Sequence, residues 1–237
     1  MYQPGIDFNG VSNRFINNTI FRAPHSGMLG RADNTLFEGN NFTELCTESG
    51  DAGAFYSGRS WADRGNAIVA NHFARIRNTG APIPLQKQNV HAIHFDDQMS
   101  GYEVRGNTIA DCWAGIKLGG GRRTTITNNS FLHTHNAIEF DNRGETWQKA
   151  YCDPAQAHTF PKSFYGELAA DFNASEEQWA RQFPYLQTIA EDQPCVPVHN
   201  NISANVHCKC DTWISATAQQ IADWNSTAEG NVNSTGC

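Results

Sequence analysis

A short polar motif recurs along the chain and constrains the fold more than any other feature. The motif is an asparagine, one further residue and then Ile or Phe, and its copies follow one another at intervals of 22, 31, 36 and 22 residues. An interval of 22 residues fits one coil of a solenoid, whereas the longer intervals require loops between the strands. The five copies begin at Asn18, Asn40, Asn71, Asn107 and Asn129.

A second repeat, out of step with the first, predicts strands over residues 27–31, 54–58, 92–96, 115–119 and 137–141. Alternate residues of a strand face opposite sides of its sheet, so each segment presents one apolar and one polar side. The predicted inward residues are Met28, Phe55, Ile93, Ile116 and Ile138, with a second stack formed by Phe95, Leu118 and Phe140. The predicted outward residues are Leu29, Tyr56, His94, Lys117 and Glu139, followed by Arg31, Gly58, Asp96, Gly119 and Asp141.

Both repeats predict an all-β chain folded as a right-handed parallel β-helix, a single-stranded solenoid with a helical or irregular insertion near the C-terminus. Amphipathic helices are excluded because the segments have a period of two, and the 22-residue interval is too short for propeller blades of roughly 40 residues. The predicted parts are β-helix coils over 1–144, a loop and helical insertion over 145–197, and a last coil with an irregular cysteine-containing tail over 198–237. Within the insertion, Ser175 and Glu176 are predicted to begin a helix that ends near Pro184.

Charge and composition narrow the possible partners. The formal net charge of −7 and the scattered basic residues exclude a nucleic-acid partner, and the lack of an apolar run of about 18 residues excludes a membrane partner. The oligomeric state is left open by the sequence. Seven glycosylation sequons favour a secreted glycoprotein, although Met1 leads directly into the chain without a signal peptide, which suggests a truncated or processed start. The sequons lie at Asn17, Asn41, Asn128, Asn173, Asn201, Asn225 and Asn233.

The seven cysteines also favour secretion. Cys46 and Cys112 lie in apolar surroundings and are predicted to be buried thiols. The other five crowd the C-terminal third, where disulfides would hold an irregular segment, and the odd total leaves at least one thiol without a partner in the chain. The pairing itself cannot be deduced from the sequence.

The outward face combines carboxylates with aromatic and basic residues, a combination that suits carbohydrate, because aromatic rings stack on sugars while carboxylates act as acid, base or nucleophile. Asp51, Asp96 and Asp97 are the candidate catalytic residues, and no residue is assigned to a metal. Carboxylates on adjacent coils would be about 5 Å apart, close to the roughly 5–5.5 Å of retaining glycosidases. The candidate substrate-binding residues are Glu48, Tyr56, Arg59, Trp61, His91, His94, Lys117, Glu139 and Asp141.

Several motifs resemble the β-helix enzymes of glycoside hydrolase family 141, over about residues 2–206. They are Pro4-Gly5-Ile6, Gly10-Val11-Ser12-Asn13, Ala23-Pro24-His25-Ser26, Asp51-Ala52-Gly53-Ala54, Tyr56-Ser57-Gly58-Arg59-Ser60-Trp61, Val90-His91-Ala92-Ile93, Asp96-Asp97 and Gly119-Gly120-Gly121-Arg122. The resemblance implies a pectin lyase-like fold, hydrolysis of plant or algal polysaccharide, and a pair of catalytic aspartates at Asp51 and Asp96, with Asp97 as the competing choice. The chain departs from the family at Gly50, where relatives often carry an acidic residue, and at His94, where an aromatic residue is common.

Three functions remain open at this point. The first is a secreted retaining glycoside hydrolase that needs no cofactor. The second is a polysaccharide lyase, which would use a cation such as Ca²⁺ on Asp96, Asp97 or Asp141 and a base such as Lys117 or Arg59. The third is an inactive carbohydrate-binding β-helix, since relatives carry further coils before the first one here. Because little precedes Asn13, we also expect an uncovered apolar first coil and poor solubility.

Overall fold

The computed structural model of the chain describes residues 3–80, 88–156 and 177–237. Three parallel sheets run along the molecule, and each coil from the first to the sixth adds one strand to every sheet. The first sheet contains β1 (Ile6–Phe8), β4 (Met28–Gly30), β7 (Ala52–Gly58), β10 (Val90–Asp96), β13 (Ala114–Gly119), β16 (Asn136–Asp141) and β19 (Thr212–Ile214). The second contains β2 (Arg14–Ile16), β5 (Leu36–Glu38), β8 (Asn66–Val69), β11 (Tyr102–Arg105), β14 (Thr125–Thr127) and β17 (Asn201–Ser203). The third contains β3 (Thr19–Ala23), β6 (Asn41–Leu45), β9 (His72–Ala74), β12 (Thr108–Ala110), β15 (Ser130–Leu132), β18 (Val206–Cys208) and β20 (Val232–Asn233).

The predicted right-handed parallel β-helix is confirmed, and so is the register of its first sheet. Ile93 pairs with Phe55 in one neighbouring strand and with Ile116 in the other, and all three are fully buried. Met28 and Ile138 continue the same row at its two ends. The inward stack is therefore a continuous apolar core column, and burial of such side chains supplies most of the stability of the coils.

Strict alternation is interrupted within β10. Ala92 and Ile93 are both fully buried in the core, so two successive residues point inward. As a result His91 lies on the outer side with His94, and the centroids of their rings are 4.8 Å apart. This irregularity places two histidines under the polar face of the first sheet.

A ladder of buried asparagines holds the coils together at the turn between the second and third sheets. Each asparagine accepts hydrogen bonds from the backbone and side-chain nitrogens of the asparagine one coil earlier, as Asn107 does from Asn71 (2.8 and 2.9 Å). The residue before each one has a positive φ, between 53° and 64°, which turns the chain and directs the next side chain inward. The ladder comprises Asn18, Asn40, Asn71, Asn107, Asn129, Asn205 and Asn231, so it includes all five predicted motifs and two further residues.

The segment after Cys210 differs from the irregular tail that the sequence predicts. Strand β19 pairs with β16, and β20 pairs with β18, so the coils continue to the C-terminal residues. Between them lies helix α2 (Ala218–Asp223), and Trp224 packs on Phe140 with ring centroids 4.7 Å apart. The strands of this segment are only two or three residues long, so the sequence shows no alternating pattern there.

The insertion contains 3₁₀ helices at Arg143–Glu145, Lys149–Cys152, Pro154–Gln156 and Pro184–Thr188, and the short helix α1 (Glu177–Gln182). Pro184 begins a 3₁₀ helix directly after α1. The predicted helix start at Ser175 and Glu176 lies outside the described residues, as does the sequon at Asn173. None of the helices in the described ranges is long and apolar enough to cross a membrane.

Two disulfides hold the C-terminal third, Cys152–Cys195 and Cys208–Cys237. Cys46 and Cys112 are buried free thiols, as predicted, and burial raises the pKa of both to about 12. Cys210 is the remaining free thiol. The first disulfide ties the start of the insertion to its far end.

The first coil forms one edge of all three sheets, through β1, β2 and β3. Val11 is 60% exposed and Phe21 is 59% exposed, and Phe15 is only partly buried against the core. The expectation of an incompletely covered apolar first coil agrees with this arrangement. The expected poor solubility stays a prediction.

Candidate functional site

The outer face of the first sheet carries a cavity of about 430 Å³, formed between β7, β10, β13, β16 and the start of the insertion. Seven of the twelve sequence-predicted site residues line it, together with five that the sequence did not single out. The lining residues are Asp51, Tyr56, Arg59, Asn89, Asp96, Asp97, Lys117, Asp141, Arg143, Trp147, Gln148 and Tyr151.

Asp96 is the most heavily bonded carboxylate of the cavity. Its Oδ2 accepts a hydrogen bond from the Tyr56 hydroxyl at 2.6 Å, and its Oδ1 accepts one from Arg143 Nη1 at 2.5 Å. Burial alone would raise its pKa, but the nearby His94 ring, the hydrogen bond from Tyr56 and the charged guanidinium of Arg143 hold the pKa of Asp96 far below the ordinary value. The side chain is therefore ionised across the physiological pH range.

The Tyr56 hydroxyl is protonated, unlike the Asp96 carboxylate that it contacts. Burial, followed by the negative charge of Asp96, raises the pKa of Tyr56 well above its ordinary value. The hydroxyl therefore keeps its proton and remains a hydrogen-bond donor to Asp96.

Arg143 joins the carboxylates of the cavity. Besides Asp96, its guanidinium donates to Asp141 Oδ2 at 2.8 Å and to Asp97 Oδ1 at 3.3 Å, while its side chain is only 5% exposed. Gly119 makes this position possible, because a Cβ there would lie 2.7 Å from the Arg143 guanidinium carbon. The outward row therefore has a glycine at the position where the Arg143 guanidinium packs on the strand.

Asp97 follows β10 and faces the mouth of the cavity. Its Oδ2 accepts a hydrogen bond from Arg59 at 2.8 Å, and its Oδ1 accepts one from Gln148. Its backbone has a φ of 40°, a conformation that a non-glycine residue adopts only at some cost. Asp97 thus links the β7–β8 connection to the insertion.

Asp51 lies on the other side of the cavity, directly before β7. It is exposed and accepts a hydrogen bond from the Asn89 side chain at 2.6 Å. Asn89 in turn accepts one from Lys117 at 3.1 Å, and Lys117 also donates to Glu139 at 3.1 Å. Asp51 is therefore the more accessible of the two predicted catalytic aspartates, and Asp96 the more enclosed.

His91 and His94 lie beneath the cavity and are fully buried, which corrects the expectation that they contact substrate. His91 Nε2 is 2.9 Å from Glu139 Oε2, and His94 Nε2 is 3.5 Å from Asp96 Oδ1. Burial lowers the pKa of His91 to about 4, so its ring is neutral at pH 7. The neighbouring coils enclose both rings, so neither ring reaches solvent. The rings instead lie against the carboxylates of Glu139 and Asp96.

Glu139 also contacts these buried side chains, through His91 and Lys117. Burial would raise its pKa, but its contacts with His91 and Lys117 hold the pKa of Glu139 far below the ordinary value. It does not line the cavity in the part of the chain that the structure describes. Glu139 holds His91 and Lys117 with a side chain that is 31% exposed, and its role in substrate binding stays a prediction.

Trp61 and Glu48 lie away from the cavity. Trp61 is 2% exposed, packs in a second apolar cluster with Leu186, Ile189 and Cys195, and donates from its ring nitrogen to Gln98 at 3.0 Å. The insertion covers it, so it cannot stack on a sugar as predicted. Glu48 is exposed in the turn before β7 and is not among the lining residues, so it does not join the predicted site.

Five lining residues were missed by sequence reasoning: Asn89, Arg143, Trp147, Gln148 and Tyr151. Four of them belong to the insertion, where the repeat is lost and register cannot place a residue. The glycine run that begins at Gly119 was the available signal, since a strand position without a side chain implies that another group occupies the space. Trp147 is 66% exposed beside the Arg143 guanidinium (5.3 Å).

Comparison with known proteins gave one family. The family model described as periplasmic copper-binding protein (NosD) matches residues 2–153, more than half of the chain and all of the coils that build the cavity. Neither a curated protein nor a solved structure matched the chain.

Proposed function

The chain belongs to the NosD family, and from this premise and the cavity on its first sheet we propose that it works outside the cytoplasm and hydrolyses a polysaccharide. The family is described as periplasmic, and the two disulfides support an oxidising compartment. The resemblance to glycoside hydrolase family 141 supports the same reaction class.

The observation that carries the proposal is the pairing of an enclosed, ionised carboxylate with an accessible one in a single cavity. Asp96 is bonded by Tyr56 and Arg143, whereas Asp51 is exposed and bonded by the neutral amide of Asn89. Two carboxyl groups in different environments are the arrangement that glycoside hydrolysis uses.

The environments assign a role to each aspartate. Asp96 acts as the nucleophile, since it stays ionised, and Tyr56 and Arg143 orient it towards the anomeric carbon. Its two oxygens offer about four acceptor positions, so these bonds leave capacity for attack. The new bond joins an Asp96 oxygen to the anomeric carbon as the bond to the leaving oxygen breaks.

Asp51 acts as the general acid and then as the base. It gives its proton to the leaving oxygen in the first step and takes one from water in the second, which releases the sugar from Asp96. Both aspartates line the same cavity, Asp51 just before the Ala52–Val90 pair and Asp96 opposite Gly58 at the other end of the two strands. A covalent step on Asp96 followed by attack of water gives retention of anomeric configuration.

A lyase is less well supported. The two candidate bases are already paired with carboxylates, Lys117 with Glu139 and Arg59 with Asp97. A proton-abstracting group needs its lone pair free, and the hydrogen bond to Asp97 raises the pKa of Arg59. Among the described residues the cations of the cavity are likewise paired, so a uronate carboxylate would have to displace one of these carboxylates.

Copper, named in the family description, does not fit the described residues. They contain no group of three or more His, Cys, Asp and Glu side chains arranged to hold a metal ion. His91 faces Glu139, and the thiols of Cys46 and Cys112 lie in the apolar core. Cys112, His133 and His135 line another cavity, but the described side chains there form no group arranged to hold a metal ion.

The test is product analysis on xylans, fucosylated glycans and uronate polymers, with Asp51→Asn alongside the wild type. We expect saturated products with one water added per cleavage, and their loss in the variant. Unsaturated uronate products would instead identify a lyase. Retention of the carbohydrate on the protein without any product would identify a binding protein.

A further inference from the structure

A second cavity of about 650 Å³ adjoins the first along the outer face of the same sheet. Tyr56 and Arg59 line both cavities, so no wall of other residues separates them. The other residues of the second cavity belong to β1, to β4, to the chain just beyond these two strands and to the end of β7. They are Asp7, Phe8, Asn9, Leu29, Gly30, Arg31 and Gly58.

Strand register places the two cavities on one line. Asp7 pairs with Leu29, and Leu29 pairs with Tyr56. Beyond Tyr56 the row continues through His94 and Lys117 to Glu139. Six strands at a spacing of about 4.8 Å give a groove of about 24 Å across the strands, parallel to the axis of the solenoid.

The second cavity differs in chemistry from the first. Its floor is formed by Leu29 and by two glycines, and a Cβ at Gly30 would overlap the backbone of Phe8. Its charged groups are Asp7, which is next to Leu29 in the same row, Arg31, which is paired with Asp63 at 3.0 Å, and Arg59, which is paired with Asp97 at 2.8 Å. A flat apolar floor with polar sides suits the face of a sugar ring better than a charged group.

We propose that this second cavity is a subsite for the neighbouring sugar unit of a polysaccharide that lies along the solenoid axis, with the bond to be cleaved held beside Asp51 and Asp96. The inference rests on the proposed hydrolysis. It assigns the substrate class as an extended, neutral glycan, because the Asp7 carboxylate beside Leu29 would repel a uronate and the basic groups of the cavity are already paired with carboxylates. Tyr56 and Arg59 then contact the two sugar units on either side of one glycosidic bond.

The floor residue Leu29 allows a direct test. Leu29→Asp places a carboxylate in the subsite, and Leu29→Ala removes the apolar contact without adding charge. Phe21→Asp is the matched control, since Phe21 is exposed on the third sheet. Each variant is compared with the wild type by affinity electrophoresis in gels that contain xylan or a neutral fucosylated xyloglucan, and by hydrolysis of these two polymers and of 4-nitrophenyl β-xyloside and α-fucoside.

We expect Leu29→Asp to weaken retardation by the bound polymer by about tenfold or more, Leu29→Ala to weaken it less, and Phe21→Asp to leave it unchanged. Hydrolysis of the single-sugar nitrophenyl substrates should be the same in all variants. Retardation and polymer hydrolysis equal to the wild type in both Leu29 variants would overturn the subsite while leaving the proposed hydrolysis intact. Failure of the wild type to bind or cleave either polymer would overturn both.

Discussion

Arg143 determines the electrostatics of the cavity, because its one guanidinium contacts three carboxylates, at the ends of two strands and in the turn that follows the first of them. It donates to Asp96 at the end of β10, to Asp97 just beyond it, and to Asp141 at the end of β16. Arginine suits this position because its donors are fixed in a plane and it stays charged when buried. Without it, three negative groups would share one small cavity.

Replacing Arg143 with Met should therefore destabilise the fold. The change leaves partly buried carboxylates unpaired, for which we expect a loss of about 3 kcal/mol in the free energy of unfolding, measured by urea denaturation. Arg22→Met is the matched control, since Arg22 pairs with Glu44 on the surface and its side chain is 74% exposed. That change should cost less than about 1 kcal/mol. Equal losses in the two variants would contradict the account.

His91 should make stability depend on pH. Its pKa is about 4 in the folded chain, below the ordinary 6.5, so the unfolded chain binds the proton more readily. The resulting stability is present above pH 6.5 and is lost as the pH falls towards 4, by about 2 kcal/mol between pH 7 and pH 5. His91→Gln should reduce the difference between urea denaturation curves at these two pH values.

Asp33 changes the free energy of unfolding with pH in the direction opposite to His91, so an Asp33 variant is the control. Burial raises its pKa to about 6, so its contribution is present below its ordinary pKa of 3.8 and is lost as the pH rises through 6. Asp33→Asn removes this contribution, so the loss of stability on acidification should become larger than in the wild type. An unchanged pH dependence in His91→Gln would show that the ring is not neutral in the fold.

At the scale of elements, the asparagine ladder fixes the coils in register. Asn107 accepts from Asn71 on one side, donates to Asn129 on the other, and also donates to the backbone carbonyls of Ile68 and Arg105. Asn18 stands at the end of the ladder and donates its side chain to Asn40 alone among the described residues. Removing an inner member therefore leaves several buried groups without partners.

We predict that Asn107→Ala lowers the free energy of unfolding by about 3 kcal/mol, because each buried polar group left without a partner costs about 1–3 kcal/mol. Asn18→Ala should cost about 1 kcal/mol or less, since it loses one partly buried hydrogen bond. Thermal and urea denaturation of the two variants measure the difference. If Asn18→Ala costs as much stability as Asn107→Ala, the buried side-chain hydrogen bonds of the ladder do not account for its contribution.

The disulfide Cys152–Cys195 connects the cavity wall to the far end of the insertion. Trp147, Gln148 and Tyr151 line the cavity just before Cys152, and the Sγ of Cys152 is 3.4 Å from Gln98 Nε2. Replacing both cysteines with Ala should lower kcat/KM for the cleaved polysaccharide severalfold, besides costing about 3–4 kcal/mol of stability for a loop of this length. The Cys208–Cys237 pair lies outside the wall, so the same replacement there should leave kcat/KM unchanged.

The elements that could be predicted from the sequence are those with a fixed period. The strand rows from Met28 to Ile138 and the first five ladder asparagines follow from alternation and from intervals of one coil. The interval from Asn129 to Asn205 is 76 residues, too long for a repeat to be recognised across the insertion. For the same reason the coil that ends at β20 was predicted as an irregular tail.

At the scale of the whole molecule, register also predicted which residues share the outer face, but not how deeply they are buried. His94 and Lys117 occupy the predicted outward row, yet the first is fully buried and the second is 7% exposed. Arg143 and the wall of the insertion fold back over this face, and no local pattern in the sequence encodes that contact. Tyr56 and Arg59, which bond Asp96 and Asp97, could therefore be predicted, whereas Arg143 and Gln148 could not.

The central claim is that the cavity on the first sheet carries the activity, and Asp96→Asn tests it most directly. The variant keeps the size of the side chain but removes the ionised oxygen that Tyr56 and Arg143 hold. Asp211→Asn is the matched control, because the Asp211 side chain is 73% exposed and pairs with His135 beyond the cavity. The measurement is the initial rate of reducing-end release from the polysaccharide that the wild type cleaves. We predict a loss of about 10³-fold or more for Asp96→Asn and an unchanged rate for Asp211→Asn, whereas a rate near that of the wild type in Asp96→Asn would contradict the account.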